Sequence, residues 1–377
     1  MSLNACIGTS RPVIKPRRRT RVEAKLHPAL ANPAAPRHHT GVKLLLTLLA
    51  TLGAWQAASG LAATNAPSLV VVARDAGAVH DRLIDADKTR ALVTAGITAL
   101  TGQTNEIAAW REFFSSNDVV GIKISTLAAP LHVTHREVID AIAAGLASAG
   151  VARTNIIVWD RDPQKMRLGD WKTSKSAYRL AAVIGDTGWD TNWVYDSRIA
   201  GKLIWGDLEF GREEALGTHS HLPILLTQTI TKLINVPVLM DHDPCGLAGC
   251  LYNISLGMVD NTRRFEQFGY HGEIPIAEIA AMKPVRDKLV LNVMDALVAG
   301  YAGGPAFKPQ YSFAPGALYF SRDPVAVDAV CLALLEARRK EANIPAIASN
   351  AWHIAAAAQL QLGQADTNLI HVVEVNP

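Results

Sequence analysis

Cysteine is scarce: the chain has 4 in 377 residues, and no closely spaced set of four. That excludes a disulfide-dense scaffold and a ferredoxin-type cluster module. No Gly-x-Ser-x-Gly and no His-Glu-x-x-His occurs, so two common hydrolase signatures are missing. The Gly-rich run at 300–305 lacks the Lys and Ser/Thr of a phosphate-binding loop, and nucleotide binding has no support there. Charged residues make up 19% and hydrophobic ones 49%, which excludes a disordered chain. Positive charge is also scarce where a fold is expected. Residues 1–43 hold nine of the 37 Lys and Arg but only one of the 34 acids. The remainder, with 28 bases against 33 acids, is mildly acidic, so no nucleic-acid partner is expected.

Residues 44–66 carry no charge, follow Lys43 and end in small residues. A basic start, an apolar core and a small-residue cleavage site describe a secretory signal peptide. The strongly apolar part, Leu44 to Ala58, is short for the ~20 residues of a membrane span. The expected organisation is an extension at 1–41 preceding a start at Val42, a signal peptide at 42–62, and one domain at 63–377. The expected location is periplasmic or secreted, with the membrane reached only through an uncleaved signal. Export would put Cys245, Cys250 and Cys331 in an oxidising compartment.

Short β-branched runs alternate with amphipathic patterns in the mature chain. Strands are expected at 69–73, 119–124, 155–159, 232–236, 288–293, 318–321 and 369–375. Helices are expected at 87–100, 105–114, 135–149, 324–341 and 350–361. Thr134 with Glu137 reads as a capping box. Asp323-Pro324 reads as an N-cap followed by proline at the first helical position. This pattern implies a mostly parallel α/β sheet flanked by helices, a Rossmann-like three-layer fold. The polar stretch at about 160–220, with Trp171, Trp189, Trp193 and Trp205, reads as an insertion.

Five ordered segments, 119–151, 155–162, 232–261, 288–297 and 321–330, resemble the bacterial family known as domain of unknown function 362. The resemblance implies an α/β domain, often exported, with no established reaction. It marks Thr134 and His135 as the family's Thr-His pair, and Thr134 with Asn253 as contacts to a cofactor or ligand. Met240 and Tyr252 stand where relatives carry lysines. If those lysines bind an anion, part of that site is lost here.

Ligands of parallel α/β sheets sit beyond the carboxyl ends of the strands. The candidates there are His135, Asp160, Asp241, His242 and Asp295. The expected function is an enzyme using them for acid–base or metal-assisted work, with His135, Asp241 and His242 as ligands of a divalent metal. A periplasmic protein that holds a small molecule or metal is the alternative, and a thiol-redox partner using Cys245 and Cys250 is a second. Asp241 or Asp243 could instead cap a helix beginning near Gly246. The run Thr218-His219-Ser220-His221 has strand-like metal spacing, although a loop is the expected setting.

Overall fold

The computed structural model describes residues 66–172, 177–212, 215–266, 269 and 271–377. The expected extension at 1–41 and signal peptide at 42–62 lie outside the described residues. Among the described residues, no helix is long and apolar enough to cross a membrane.

The strands that matter below are β1 (Ser68–Arg74), β2 (Val120–Ile124), β3 (Ile156–Asp160), β4 (Arg179–Ala182), β5 (Trp189–Lys202), β6 (Leu216–Pro223), β7 (Lys232–Val236), β8 (Val238–His242), β9 (Gly246–Ala248), β10 (Leu289–Gly300), β11 (Ala317–Ser321) and β12 (Ile370–Val375). The helices that matter below are α1 (Ala86–Thr101), α2 (Glu106–Phe113), α3 (Arg136–Ala149), α4 (Pro163–Leu168), α5 (Cys250–Asn253), α6 (Glu273–Ala281), α7 (Pro324–Glu341) and α8 (Trp352–Gln359).

The main sheet runs in the order β12-β1-β11-β10-β7-β2-β3-β4. Neighbours pair in parallel except at β11, which is antiparallel to both β1 and β10. β2, β3 and β11 are buried throughout, and β7 is buried from Leu233 on, as strands covered on both faces must be. One apolar cluster joins Val120, Ile122 and Ile124 to Leu92, Trp110 and Ile139 of α1, α2 and α3. The other joins Leu233, Met294 and Tyr319 to Ile276, Val325 and Ile354 of α6, α7 and α8. The expected three-layer α/β fold is what the chain adopts.

Direction of growth matters for the site. From β2 the chain builds outward through β3 and β4. It returns to β7, on the other side of β2, and builds the opposite way through β10 and β11. The β2/β7 boundary is therefore a topological switch point, where a crevice opens beyond the carboxyl ends of the strands.

Three local expectations change. The capping box does not form: the N-cap of α3 is His135, without a side-chain cap bond. Thr134 instead donates to the Val236 carbonyl (2.7 Å) and accepts from the Ser125 amide (2.8 Å), tying the loop after β2 to β7. The region after Asp243 is strand β9 and the short helix α5, not one helix from Gly246, and neither Asp241 nor Asp243 caps it. The segment at 160–220 contributes β4 to the main sheet, and β5 and β6 form a separate two-stranded sheet.

Candidate functional site

At the switch point a row of polar side chains crosses the sheet. Lys123 of β2 is paired in register with Asn235 of β7, Asn235 with Asn292 of β10, and Asn292 with Ser321 of β11. Lys123, Asn235 and Asn292 have no exposed surface. Buried polar groups persist only when bonded, and these bond to one another. Asn235 Nδ2 donates to Asn292 Oδ1 (2.9 Å), and Asn253 Nδ2 to Asn235 Oδ1 (2.8 Å).

The row ends at an ion pair. Lys123 Nζ donates to Asp160 Oδ1 (2.8 Å), Asn253 Oδ1 (2.9 Å) and the Ile124 carbonyl (2.8 Å), which uses all three ammonium protons. Asp160 is equally saturated. Its Oδ2 accepts from the Thr126 amide (2.8 Å) and hydroxyl (2.6 Å), and its Oδ1 also accepts from the Arg161 amide (2.7 Å). Burial pulls Lys123 below the ordinary lysine range, and Asp160 offsets part of that. Burial works to raise Asp160, but Lys123 and Thr126 outweigh it and hold the carboxylate low.

Above the pair lies a cleft of about 30 Å³, lined among others by Ser125, Thr126, Arg161, Lys165, Tyr252 and Asn253. Arg161 donates to the Leu256 and Val259 carbonyls and to Thr262, and Lys165 to the Leu127 carbonyl. Both cations are thus held by uncharged groups. Burial and then Arg161 lower Lys165.

His135 and Asp295 form a second group. His135 donates to Asp295 Oδ2 from both its amide and Nδ1, each at 2.8 Å. Burial opposes the imidazolium, but Asp295 outweighs it, so His135 is raised and Asp295 is lowered. Asp295 lies inside β10 rather than after a strand, because β10 runs on to Gly300. Nearby in sequence, His132 donates to the Leu239 carbonyl (3.1 Å) and stacks on Phe307.

Asp241 belongs to a third group. It accepts from the Gly304 amide (2.9 Å), with Arg339 3.8 Å away. Burial raises it to about 6. His242 is buried against the Tyr252 ring, centroids 5.1 Å apart, and burial lowers it to about 4. Of the expected ligands, His135 is engaged by Asp295 and Asp241 by the Gly304 amide, while His242 packs against the Tyr252 ring. Among the described residues, no group of three or more His, Cys, Asp or Glu stands ready to hold a metal ion.

The surroundings of the cysteines do not favour the thiol-redox reading. Cys245, Cys250 and Cys331 are all buried. Cys245 Sγ donates to the Leu247 carbonyl, and burial pushes the Cys250 thiol up. A buried thiol held protonated is a poor nucleophile.

The structure thus brings Asp160 together with Asn253, and His135 with Asp295. Sequence reasoning missed Lys123, Asn235 and Asn292 altogether. Their signal was a polar residue inside an otherwise apolar strand, a place a lysine occupies only when matched.

A search of curated proteins finds no match. Among solved structures the chain is similar to a protein from Thermotoga maritima, with 11% identity and a TM-score of 0.37, over 69% of this chain and 60% of that one. It spans less than two thirds of that protein's length. The sequence model described as "Domain of unknown function (DUF362)" matches residues 120–333, more than half of the chain, and the protein belongs to that family.

Proposed function

We propose that the cleft over Lys123 binds a small molecule through its anionic group, a carboxylate or phosphate, and that the protein does so outside the cytoplasm, after export on the expected signal at 42–62. The observation that carries this reading is the hydrogen-bonding account of the cleft. Lys123 and Asp160 have no capacity left, so they form a fixed floor. The unspent donors belong to Arg161 and Lys165, two cations held by carbonyls and a hydroxyl rather than by carboxylates. Lys123, Arg161 and Lys165 outnumber Asp160 and Asp162 in the lining, and a net positive charge in a partly dry cleft favours an anion. A space of about 30 Å³ takes roughly two water-sized groups, which suits an anionic head with the rest of the molecule outside.

A second reading, an acid–base enzyme, is favoured by the His135–Asp295 pair. A carboxylate on Nδ1 orients the ring and leaves Nε2 as the working nitrogen, the arrangement a general base needs.

Calorimetric titration of the full chain with inorganic phosphate, and separately with acetate, tests the binding reading. Lys165→Met is expected to weaken the anion about tenfold, the value of one charge-assisted bond. No heat with either anion, or an affinity that Lys165→Met leaves unchanged, overturns it.

A further inference from the structure

The histidines of Thr218-His219-Ser220-His221 lie on a strand, not in a loop. β6 runs Leu216–Pro223, so residues 219 and 221 face the same side, two positions apart. Their ring centroids are 6.3 Å apart. Each ring is held from behind by a carboxylate. His219 Nδ1 donates to Glu209 Oε1 (3.1 Å), and His221 Nδ1 donates to Asp260 Oδ2 (3.1 Å). Asp260 is fixed in turn, since it also accepts the amides of Leu208 and His221. With Nδ1 spent on a carboxylate, Nε2 is the nitrogen each ring has left to offer a metal. This is the outer-shell arrangement that fixes the tautomer of metal-binding histidines and raises their basicity.

A carboxylate faces His219 from the neighbouring strand. Asp196 of β5 is the register partner of His219, and its Oδ1 lies 3.7 Å from His219 Nε2. That is beyond hydrogen-bond range and close to the ~3.4 Å between two donors on a tetrahedral zinc. A cleft of about 430 Å³ opens over the group, lined by Thr191, Val194, Asp196, Arg212, His219 and His221 among others.

We propose that His219, His221 and Asp196 form an open binding site for a divalent transition-metal ion of the zinc type, separate from the cleft over Lys123. The three groups do not yet converge. Two imidazoles on one tetrahedral ion have centroids about 5 Å apart, so the rings must close by about 1 Å. The Asp196 side chain is 70% exposed, so it turns toward the ion at little cost. Two imidazoles and one carboxylate leave a fourth position for water or a ligand, as in catalytic rather than structural zinc sites. Arg212 on the same wall suits an anionic ligand at that position.

The test is a titration of the full chain with zinc chloride in a non-coordinating buffer, followed by calorimetry. One ion per chain is expected. His219→Gln and Asp196→Asn are each expected to weaken it at least tenfold, and Glu209→Gln by about tenfold through His219 alone. Asp196 is exposed, so its variant reports on the metal without risk to the fold. Absence of zinc binding by the natural sequence overturns the proposal. So does an affinity that neither His219→Gln nor Asp196→Asn changes, since the ion would then be held elsewhere.

Discussion

A lysine with no exposed surface is tolerated only when its ammonium is matched by charge and by geometry, and Lys123 has both. Replacing it by methionine keeps the stem but leaves Asp160 buried without its cation. The expected loss is about 3 kcal/mol, at the lower end for a broken buried pair, because Thr126 and the Arg161 amide still hold the carboxylate. Urea unfolding measures it. The double variant Lys123→Met/Asp160→Asn should lose less than the sum of the two single variants, since the second change removes the orphaned charge. Additive losses would mean that the two groups are not energetically coupled. At this scale the sequence is half legible. Asp160 follows a clear β-branched run and reads as a site residue. Lys123, Asn235 and Asn292 hide because an expectation built on hydrophobic runs absorbs an isolated polar residue. Only the register of the assembled sheet shows that the three stand side by side.

Elements were legible where their own periodicity decides them. α3 and α7 begin and end within a residue of expectation, and Asp323 caps α7 by accepting the Val325 and Ala326 amides. Residues 246–253 were not legible, because a side chain 78 residues away sets their form. Asp328 of α7 accepts from the Cys250 amide (2.6 Å) and the Leu251 amide (2.9 Å), which fixes the start of α5. Gly249 lets the carboxylate approach: a Cβ there would stand 2.2 Å from Asp328 Oδ1. Asp328→Ala strands two buried amides, at about 1–3 kcal/mol each. The loss should also depend on pH. Burial raises Asp328 to about 7, far above the 3.8 of an exposed carboxyl. The folded chain therefore takes up a proton that the unfolded chain releases. The stability this contributes is fully present below pH 3.8 and is lost as pH rises through 7. Urea unfolding at pH 5 and pH 8 should thus show a larger loss for Asp328→Ala at pH 5. An equal loss at both would mean that the carboxyl is ionised throughout.

For the whole molecule, the sequence yields the layers but not the strand order. Nothing local marks β11 as antiparallel or brings β7 back beside β2, because those choices rest on packing between distant segments. The same packing makes the molecule's response to acid a balance of opposed groups. Burial lowers His132 and His242 to about 4 and His353 to about 3. Each of these histidines contributes stability above pH 6.5 that drains away as pH falls, because the unfolded chain takes protons that the fold refuses. Asp241 and Asp328, raised to about 6 and about 7, work in the opposite sense over much of the same range. The net curve therefore hides each contribution, and a difference between variants is needed to expose one. His353 is the clearest choice. It is fully buried on α8, and neither ring nitrogen has a hydrogen-bond partner among the described residues. His353→Leu removes the group that cannot accept its proton. Whatever the variant's stability at pH 7.5, it should gain on the natural sequence as pH falls from 6.5 to 4, by an amount on the order of 3 kcal/mol at about 1.4 kcal/mol per pH unit. Chemical denaturation of both proteins across that range reads the difference directly. A difference that stays flat from pH 7.5 to pH 4 would mean that His353 meets water or a partner when charged, and that the α8 side of the core opens before the rest.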